Sequence, residues 1–364
     1  MRILHTESSV GWGGQENRTL NELIGMRERG HEMAVVSRPG ARILERAQEA
    51  GFPTFAIEMR GAIDFPAMFR LRSVINRFRA DVVNTHSGRD TQLAGMAARS
   101  IIGGRPRIVR TRHLALPITS KFSYSTLPDH VVTVSRFVEN YLVEAGVPRA
   151  RITTVATGVD FARYDRSTIE GGLRAELGLP PEALLIGTVA ILRKKKGHAE
   201  TIEAAAQVIE RFPGAHFIFA GDGPQTANLE RRIAELGLGD RVHMLGLRRD
   251  VVNILKSLDV FVLPTHQEAL GTAFIEAGAM GLPAVATNVD GVPEVVQDGR
   301  TGLLVPVRES RAIAEAICRL LDDPVYRQGM GANAAEFVRR KFSREAMAHG
   351  MEALYQRLID AERP

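Results

Sequence analysis

Short apolar segments alternate with helix-like segments along most of the chain, and this alternation limits the fold more than any other feature. The apolar segments of the first half are MRIL, HEMAVVS, ADVVNTH, RIVRTRH and HVVTVS. Those of the second half are ALLIGTVAIL, AHFIFAG, RVHMLG, DVFVLP, PAVAT and TGLLVP. Such strands, separated by helices, are typical of parallel sheets with crossover helices. The pattern therefore predicts an α/β protein.

The length of 364 residues is too great for one ordinary core and suits two domains. Residues 161–182 contain the segment RSTIEGGLRAELGLPPE, whose Gly and Pro pairs are typical of a hinge. We therefore expect one Rossmann-like domain over 1–165 and a second over 166–342. The helical stretch at about 343–362 has no strand after it, and it could cross back onto the first domain.

Composition and charge narrow the class of protein. An apolar fraction of 45%, one cysteine (Cys318), no long apolar leader and no run suited to a membrane span predict a cytoplasmic protein. Residues 1–170 hold 24 Lys and Arg against 17 Asp and Glu, a net charge of +7, whereas the remainder carries −2. A basic half suits nucleic acid, anionic lipid or a phosphorylated substrate. The arginine-rich segment FPAMFRLRSVINRFRADVV is either a surface helix with a core face or a contact with an anionic membrane.

Ligands of open parallel sheets bind beyond the carboxyl ends of the strands, so the residues that follow each strand are the candidates. Gly13 and Gly14 follow the first strand, where they either form a turn or let the backbone approach a phosphate. His113 follows a later strand and is either structural or catalytic. Arg193 and Lys196 bound a run of four cations after ALLIGTVAIL, which either is solvated or holds phosphates.

The segment QEALGTAFIEAGAMGLP places two carboxylates, Glu268 and Glu276, on either side of a glycine. A helix that begins near Gly271 and Thr272 would offer the amides of Gly271, Thr272 and Ala273 to a diphosphate. Glu268 would then stay on the loop, and Glu276 would lie one turn into the helix. An alternative is a capping box formed by Thr265 and Glu268, which explains Glu268 without a ligand.

Several motifs are absent from the sequence: Asp-x-Asp, His-Glu-x-x-His, a Walker A loop and Gly-x-Ser-x-Gly. We therefore expect no metal and no cofactor. A diphosphate bound without a metal needs protein cations and helix ends, which are the groups that Lys196, Arg193 and the Gly271 turn provide.

With these residues considered together, the chain resembles the retaining glycosyltransferases of the GT-B architecture, family 4, in which two Rossmann-like domains face each other across a cleft. The resemblance is carried by the E-x7-E spacing of Glu268 and Glu276, and by DGVPEVVQDGRTGLLVP, VTVSRFVENYLVEAGVP, LRKKKGH and GDGP. It implies that Glu276 binds ribose hydroxyls, Glu268 the transferred sugar, Arg193 and Lys196 the diphosphate, and His113 the sugar and acceptor side. Gly13 and Gly14 would close on the diphosphate from the first domain.

The resemblance also implies the reaction: transfer of a hexosyl group from a nucleotide sugar, with UDP the commonest nucleotide in the family, to a hydroxyl of a cell-envelope glycan or lipid-linked acceptor such as lipopolysaccharide core. The basic first half suits an acceptor at the inner face of an anionic membrane. Two alternatives stay open, namely a sugar-nucleotide epimerase of the same fold and an arginine-rich nucleic-acid-binding protein. Against nucleic acid as a partner, we find no aromatic stacking platform.

Overall fold

The computed structural model describes residues 1–114, 116–118 and 120–361, and these form two units. One unit contains Met1–Val159 and the segment from Phe342 onward, and the other contains Asp160–Lys341. The chain thus passes between units at 159/160, where the sequence suggested 165/166, and again at 341/342.

The strands are short and, within each sheet, parallel. In chain order they are β1 (Arg2–Glu7), β2 (Glu32–Ser37), β3 (Thr54–Ala56), β4 (Val82–Thr85), β5 (Arg107–Arg112), β6 (His130–Thr133), β7 (Ile152–Thr154), β8 (Leu184–Val189), β9 (Ala215–Ala220), β10 (Val242–Gly246), β11 (Val260–Leu263), β12 (Ala284–Thr287) and β13 (Gly302–Val305). The α-helices are α1 (Gly14–Glu28), α2 (Arg42–Glu49), α3 (Phe65–Phe78), α4 (Gly88–Arg99), α5 (Phe122–Ser125), α6 (Arg136–Glu144), α7 (Leu173–Glu176), α8 (His198–Arg211), α9 (Thr226–Glu235), α10 (Val251–Ser257), α11 (Thr272–Ala279), α12 (Ser310–Asp322), α13 (Pro324–Lys341) and α14 (Arg344–Asp360).

The first unit is built on a sheet in the order β3-β2-β1-β4-β5-β6-β7. Its central strands are buried on both faces. Side chains on one face of the sheet pack with α1 and α14, and side chains on the other face pack with α3 and α4. Burial on both faces is why these strands are apolar in consecutive positions. The sequence indicated each of these strands except β3 and β7, whose three residues each are too few to give a pattern.

The second unit is built on a sheet in the order β10-β9-β8-β11-β12-β13. In both sheets the chain order reverses beside the first strand of the unit, so that β1 lies between β2 and β4, and β8 between β9 and β11. Such a reversal leaves a crevice at the carboxyl ends of the strands, where ligands of this class of sheet bind. The predicted α/β class is confirmed.

The C-terminal helix α14 packs against α1 of the first unit. Its residues Met347, Met351 and Tyr355 are buried in the core with Leu23 and Met26. The close approach depends on Gly25, because a Cβ there would lie 3.0 Å from the Ala348 Cβ.

Helix α3 carries the arginine-rich segment and has the core face that the surface-helix interpretation expected, formed by Ala67, Leu71, Val74 and Ile75. Ile75 is buried as expected, but Phe65 and Phe69 are 63% and 70% exposed, and Ile63 just before the helix is 75% exposed. In the described part of the chain, no helix is both long enough and apolar enough to cross a membrane.

Candidate functional site

The cation run of the second unit lies in a tight loop between β8 and α8. Lys194–Lys196 form one 3-10 turn, and Gly197 follows in the left-handed conformation with φ 74°. A Cβ on Gly197 would lie 2.0 Å from the Pro264 carbonyl oxygen, so only glycine fits. The backbone of the loop is therefore held against the end of β11.

The loop after β11 is hydrogen-bonded to the loop that contains Lys194–Lys196, through both a backbone amide and a side chain. The His266 amide donates to the Lys195 carbonyl at 2.7 Å, and the Thr265 hydroxyl donates to the same oxygen at 2.9 Å. The alternative of a capping box at Thr265 is therefore wrong, because its hydroxyl is used elsewhere and the next helix begins at Thr272. This leaves Glu268 available for another role.

Lys196 and Glu268 form an ion pair between these two loops. Their side chains are only 15% and 19% exposed, so the pair is shielded from bulk water more than a surface pair is. Each charge holds the other in place, and both occupy the edge of the sheet at the carboxyl ends of β8 and β11. The sequence predicted both residues, but not that they contact each other.

The backbone of Glu268 is held by the loop after β12. Its amide donates to the Asp290 carboxylate at 3.0 Å, and its carbonyl accepts from the Gly291 amide at 3.0 Å. A Cβ on Gly291 would lie 2.1 Å from the Ala269 carbonyl oxygen, so the loops could not approach with any other residue. Asp290 itself has φ 50°, an uncommon value outside glycine. No pattern in the sequence pointed to Asp290.

Helix α11 begins at Thr272, as the sequence predicted, after Gly271 in the left-handed conformation with φ 93°. A Cβ on Gly271 would lie 2.6 Å from a ring carbon of Phe274 and 3.3 Å from the Glu268 Cγ. Glycine is thus required by both the backbone and the packing. The first-turn amides, those of Thr272 and Ala273 included, belong to the positive end of the helix dipole.

Glu276 lies one turn into α11 and accepts a hydrogen bond from the hydroxyl of Tyr164. Burial raises the pKa of the Glu276 carboxyl, and the Tyr164 hydrogen bond and the positive charge of Arg163 lower that pKa in part. Tyr164 comes from the short helical turn Phe161–Tyr164, just after the chain enters this unit. The sequence missed Tyr164, because no local pattern connects it with residues more than a hundred positions away.

Arg193 is placed differently from Lys196. It is exposed and, with Lys194 and Arg308, lines a cavity of about 440 Å³ whose wall includes Gln225 and Leu229. The cavity lies among loops at the carboxyl ends of the strands, so Arg193 is near the ion pair in the fold without taking part in it. Its assignment to a diphosphate stays a prediction.

In the first unit, Gly13 caps α1 in an extended conformation, with φ −157°, and Gly14 is the first residue of the helix. Any residue can adopt that conformation, so a turn does not require glycine at position 13. Glu7 lies just before this loop and accepts from the Ser9 amide at 2.9 Å and from the Gln15 side chain. Burial, with the nearby charge of Asp90, raises the pKa of Glu7 to about 8.

His113 follows β5 and is the outer member of a buried row of three histidines. Its Nε2 lies 2.9 Å from Nδ1 of His86, and Nε2 of His86 lies 2.8 Å from Nδ1 of His5. Burial lowers the pKa of all three imidazoles, so each is neutral at neutral pH. The sequence selected only His113, although His86 follows a strand in the same way.

The predicted residues thus fall into groups by unit. In the second unit, Glu268, Lys196 and Gly271 lie together, and Glu276 lies in α11, the helix that follows Gly271. Arg193 lines the cavity beside them. Gly13, Gly14 and His113 belong to the first unit. Over the described ranges, no group of three or more His, Cys, Asp or Glu side chains is arranged to hold a metal ion.

Comparison with protein families gives two matches that together span most of the chain. Residues 172–337 match the model described as glycosyl transferases group 1. Residues 12–163 match the model described as glycosyltransferase family 4. The segment 172–337 lies within the second structural unit, and all but the last four residues of the segment 12–163 lie in the first.

Three individual proteins show how far the similarity extends. The chain is 26% identical over 363 residues to N-acetyl-alpha-D-glucosaminyl L-malate synthase of Bacillus anthracis, covering 95% of this chain and 94% of the relative. It is 26% identical over 365 residues to the lipopolysaccharide core biosynthesis glycosyltransferase LpsD of Rhizobium meliloti, covering 98% of each. A crystal structure of Anabaena Alr3699/HepE in complex with UDP-glucose superposes with a TM-score of 0.85 at 21% identity, covering 98% of this chain and 100% of that one.

Proposed function

Because the chain belongs to the GT-B glycosyltransferases of family 4, we propose that it is a retaining, metal-independent hexosyltransferase that uses a nucleotide sugar, with UDP as the nucleotide. The observation that carries the proposal is the arrangement of Lys196, Glu268, Gly271 and Glu276 at one edge of the second sheet. An ion pair, a helix N-terminus and a half-buried carboxylate lie there, and each suits a different part of a nucleotide sugar.

The donor is proposed to bind with its diphosphate at the N-terminus of α11. The amides of Gly271, Thr272 and Ala273 donate to phosphate oxygens, and Lys196 supplies a positive charge. Arg193 contributes a second cation from the adjacent cavity. The carboxylate of Glu276 accepts hydrogen bonds from the two ribose hydroxyls, and that of Glu268 accepts from hydroxyls of the transferred sugar.

In the proposed reaction the acceptor hydroxyl oxygen forms a bond to the anomeric carbon on the face from which the diphosphate leaves. The bond between that carbon and the diphosphate oxygen breaks, and the proton of the acceptor hydroxyl passes to a leaving phosphate oxygen. Configuration is therefore retained. The residues of this chain position the reactants and stabilise the negative charge on the diphosphate, mainly through Lys196 and the helix N-terminus. Gly13, Gly14 and His113 are proposed to act from the first unit, on the diphosphate and on the sugar.

The acceptor is proposed to be a cell-envelope glycan such as lipopolysaccharide core. Support comes from the relative LpsD, which its name assigns to lipopolysaccharide core biosynthesis and which the chain matches over 98% of its length. The net charge of +7 over residues 1–170 suits an anionic acceptor.

The same proposal includes peripheral contact of the first unit with the cytoplasmic face of an anionic membrane. Ile63, Phe65 and Phe69 are exposed apolar side chains in or just before α3, and Arg60 and Arg70 of the same segment are exposed as well. Apolar side chains beside arginines suit insertion between anionic headgroups. Sedimentation with phosphatidylglycerol vesicles tests this contact, and binding equal to that with phosphatidylcholine vesicles would contradict it.

The experiment that tests the enzymatic proposal is a survey of donors by calorimetry, followed by product analysis. UDP, GDP and ADP are titrated first, and the sugars of the nucleotide that binds are then incubated with lipopolysaccharide core oligosaccharides. We expect UDP to bind and a sugar to be transferred with retained anomeric configuration. Conversion of the donor without an acceptor would indicate an epimerase or hydrolase instead.

A further inference from the structure

The three histidines of the first unit form a hydrogen-bonded row that crosses the sheet. His5 lies in β1, His86 follows β4, and His113 follows β5, and these strands are neighbours in the sheet. The rings of His5 and His86 are stacked, with centroids 5.1 Å apart, and those of His86 and His113 are 5.2 Å apart. Exposure increases along the row from 0% at His5 to 3% at His86 and 9% at His113. The row therefore runs from the centre of the core toward the carboxyl ends of the strands.

The inner end of the row faces an oxygen that can only accept. Nε2 of His5 lies 3.4 Å from Oε1 of Glu22, and both side chains are fully buried. The same Oε1 accepts from the Tyr355 hydroxyl at 2.7 Å and from the Asn84 amide at 3.3 Å. Because both groups are fully buried, a lone pair on His5 Nε2 would be repelled by this oxygen, and we infer that Nε2 carries the proton.

The proton on His5 determines the tautomers of the other two rings. With its Nε2 protonated, a neutral His5 has a lone pair on Nδ1, so Nε2 of His86 must donate to it. His86 then has its lone pair on Nδ1, and Nε2 of His113 must donate in turn. His113 is left with a lone pair on Nδ1, the nitrogen that is not used in the row.

We propose that Glu22, His5 and His86 are positioning residues, which fix His113 in the Nε2-protonated tautomer so that its Nδ1 accepts a hydrogen bond from a substrate hydroxyl. The assignment of that hydroxyl to a sugar or acceptor rests on the proposed function, whereas the tautomer does not. Arg18 supports the arrangement: its guanidinium lies 3.9 Å from Glu22, and its positive charge disfavours a second proton on His86 and His113.

The first experiment needs no substrate. Long-range proton–nitrogen correlation spectra of the ¹⁵N-histidine-labelled full chain report which ring nitrogen of each imidazole is protonated. We expect His5, His86 and His113 all to be neutral and pure Nε2–H tautomers. An Nδ1–H signal or a protonated ring at any of the three overturns the proposal, whatever the activity of the protein.

A variant shows whether the inner end sets the tautomer. His5→Phe keeps an aromatic ring in the core but removes the link, and we expect His86 and His113 to become mixtures of tautomers. Unchanged pure Nε2–H signals in this variant would refute the proposal. His130→Gln is the matched control, because His130 contacts Thr153 in the same sheet outside the row, and it should leave all three signals unchanged.

Kinetics then test the role of the lone pair. Once a donor sugar is known, His5→Phe should lower kcat/KM for transfer about tenfold, the effect of one impaired hydrogen bond, while the Kd for the free nucleoside diphosphate stays the same. A lower kcat/KM with an unchanged Kd for the nucleoside diphosphate would contradict a purely structural role. An equal loss of kcat/KM and of nucleoside diphosphate affinity would contradict the positioning role. If no donor were found, the proposed function would fail while the spectra still decided the tautomers.

Discussion

Glu7 provides the most quantitative prediction, because its carboxyl is buried just before the Gly13 loop. Its pKa of about 8, against an ordinary value of 4.5, means that the folded chain holds a proton which the unfolded chain releases over that range. Since the folded pKa is raised, the contribution to stability is fully present below pH 4.5 and is lost as the pH rises to 8. Each pH unit lowers the free energy of unfolding by about 1.4 kcal/mol, and the whole window by roughly 3–5 kcal/mol.

The perturbation is Glu7→Gln, which keeps an oxygen for the Ser9 amide and has no charge at any pH. We expect the variant and the wild type to be similarly stable near pH 5, and the variant to be the more stable by roughly 3–5 kcal/mol at pH 8. Trp12 is the one tryptophan of the sequence and lies in the same loop as Gly13, so its fluorescence during urea unfolding reports on the first unit.

The control is Glu32→Gln, a change of an exposed carboxylate in β2 of the same sheet. It should shift stability little at any pH, because exposed ion pairs contribute about 0–1 kcal/mol. If the free energy of unfolding changed with pH in the same way for Glu7→Gln and wild type between pH 5 and 8, the reasoning would be refuted. That result would mean that Glu7 is ionised in the folded chain throughout this range.

Three further substitutions test the second unit. Gly271→Ala adds a Cβ 2.6 Å from the Phe274 ring at φ 93° and should lower the free energy of unfolding by about 2 kcal/mol or more, measured by urea titration of far-ultraviolet circular dichroism. Tyr164→Phe removes the hydrogen bond to Glu276 and should weaken UDP binding about 10–100-fold in calorimetry. Loss of this hydrogen bond also raises the pKa of Glu276 further, so the loss of affinity should be greater at lower pH, where more of the carboxyl is protonated. Lys196→Met should lower kcat about 100-fold or more. It should also weaken the binding of UDP but not that of uridine, which has no phosphate. Equal effects on the binding of both ligands would contradict a contact between Lys196 and phosphate.

The sequence predicted the structural features that depend only on residues close to one another in the chain. Buried parallel strands are apolar at consecutive positions, so β1, β4, β8 and β11 could be recognised without any partner. Once the strands were placed, their carboxyl ends indicated where ligand residues belong, and the start of α11 followed from Gly271. These predictions needed only the period of a strand and the turn chemistry of glycine.

The features that were missed depend on contacts between distant residues. Tyr164 reaches Glu276 from a turn 112 positions earlier, and Asp290 holds the Glu268 amide from the loop after the next strand. The row from His113 to His5 exists only because the sheet order places β1, β4 and β5 side by side. No window of sequence contains these pairs, and alternation of strands and helices does not by itself determine the order of strands in the sheet.

The exposure of Phe65 and Phe69 on α3 could not be predicted from the sequence for a different reason. Their spacing of four suited the buried stripe of α3, but that stripe is formed by Ala67, Leu71, Val74 and Ile75. Periodicity identifies an apolar face without showing whether a core or another partner covers it. Here the aromatic residues lie beside the stripe and are exposed.

The most direct test of the central claim is calorimetric titration of UDP into the wild-type chain, Glu276→Gln and the control Glu230→Gln, an exposed carboxylate on α9. Glutamine at 276 keeps the size of the side chain but is a weaker acceptor for ribose hydroxyls. We predict that UDP binds the wild type and the control with the same Kd and binds Glu276→Gln at least tenfold more weakly. Equal affinity for all three, or no binding of UDP to the wild type, would contradict the assignment of this edge of the second sheet to the nucleotide.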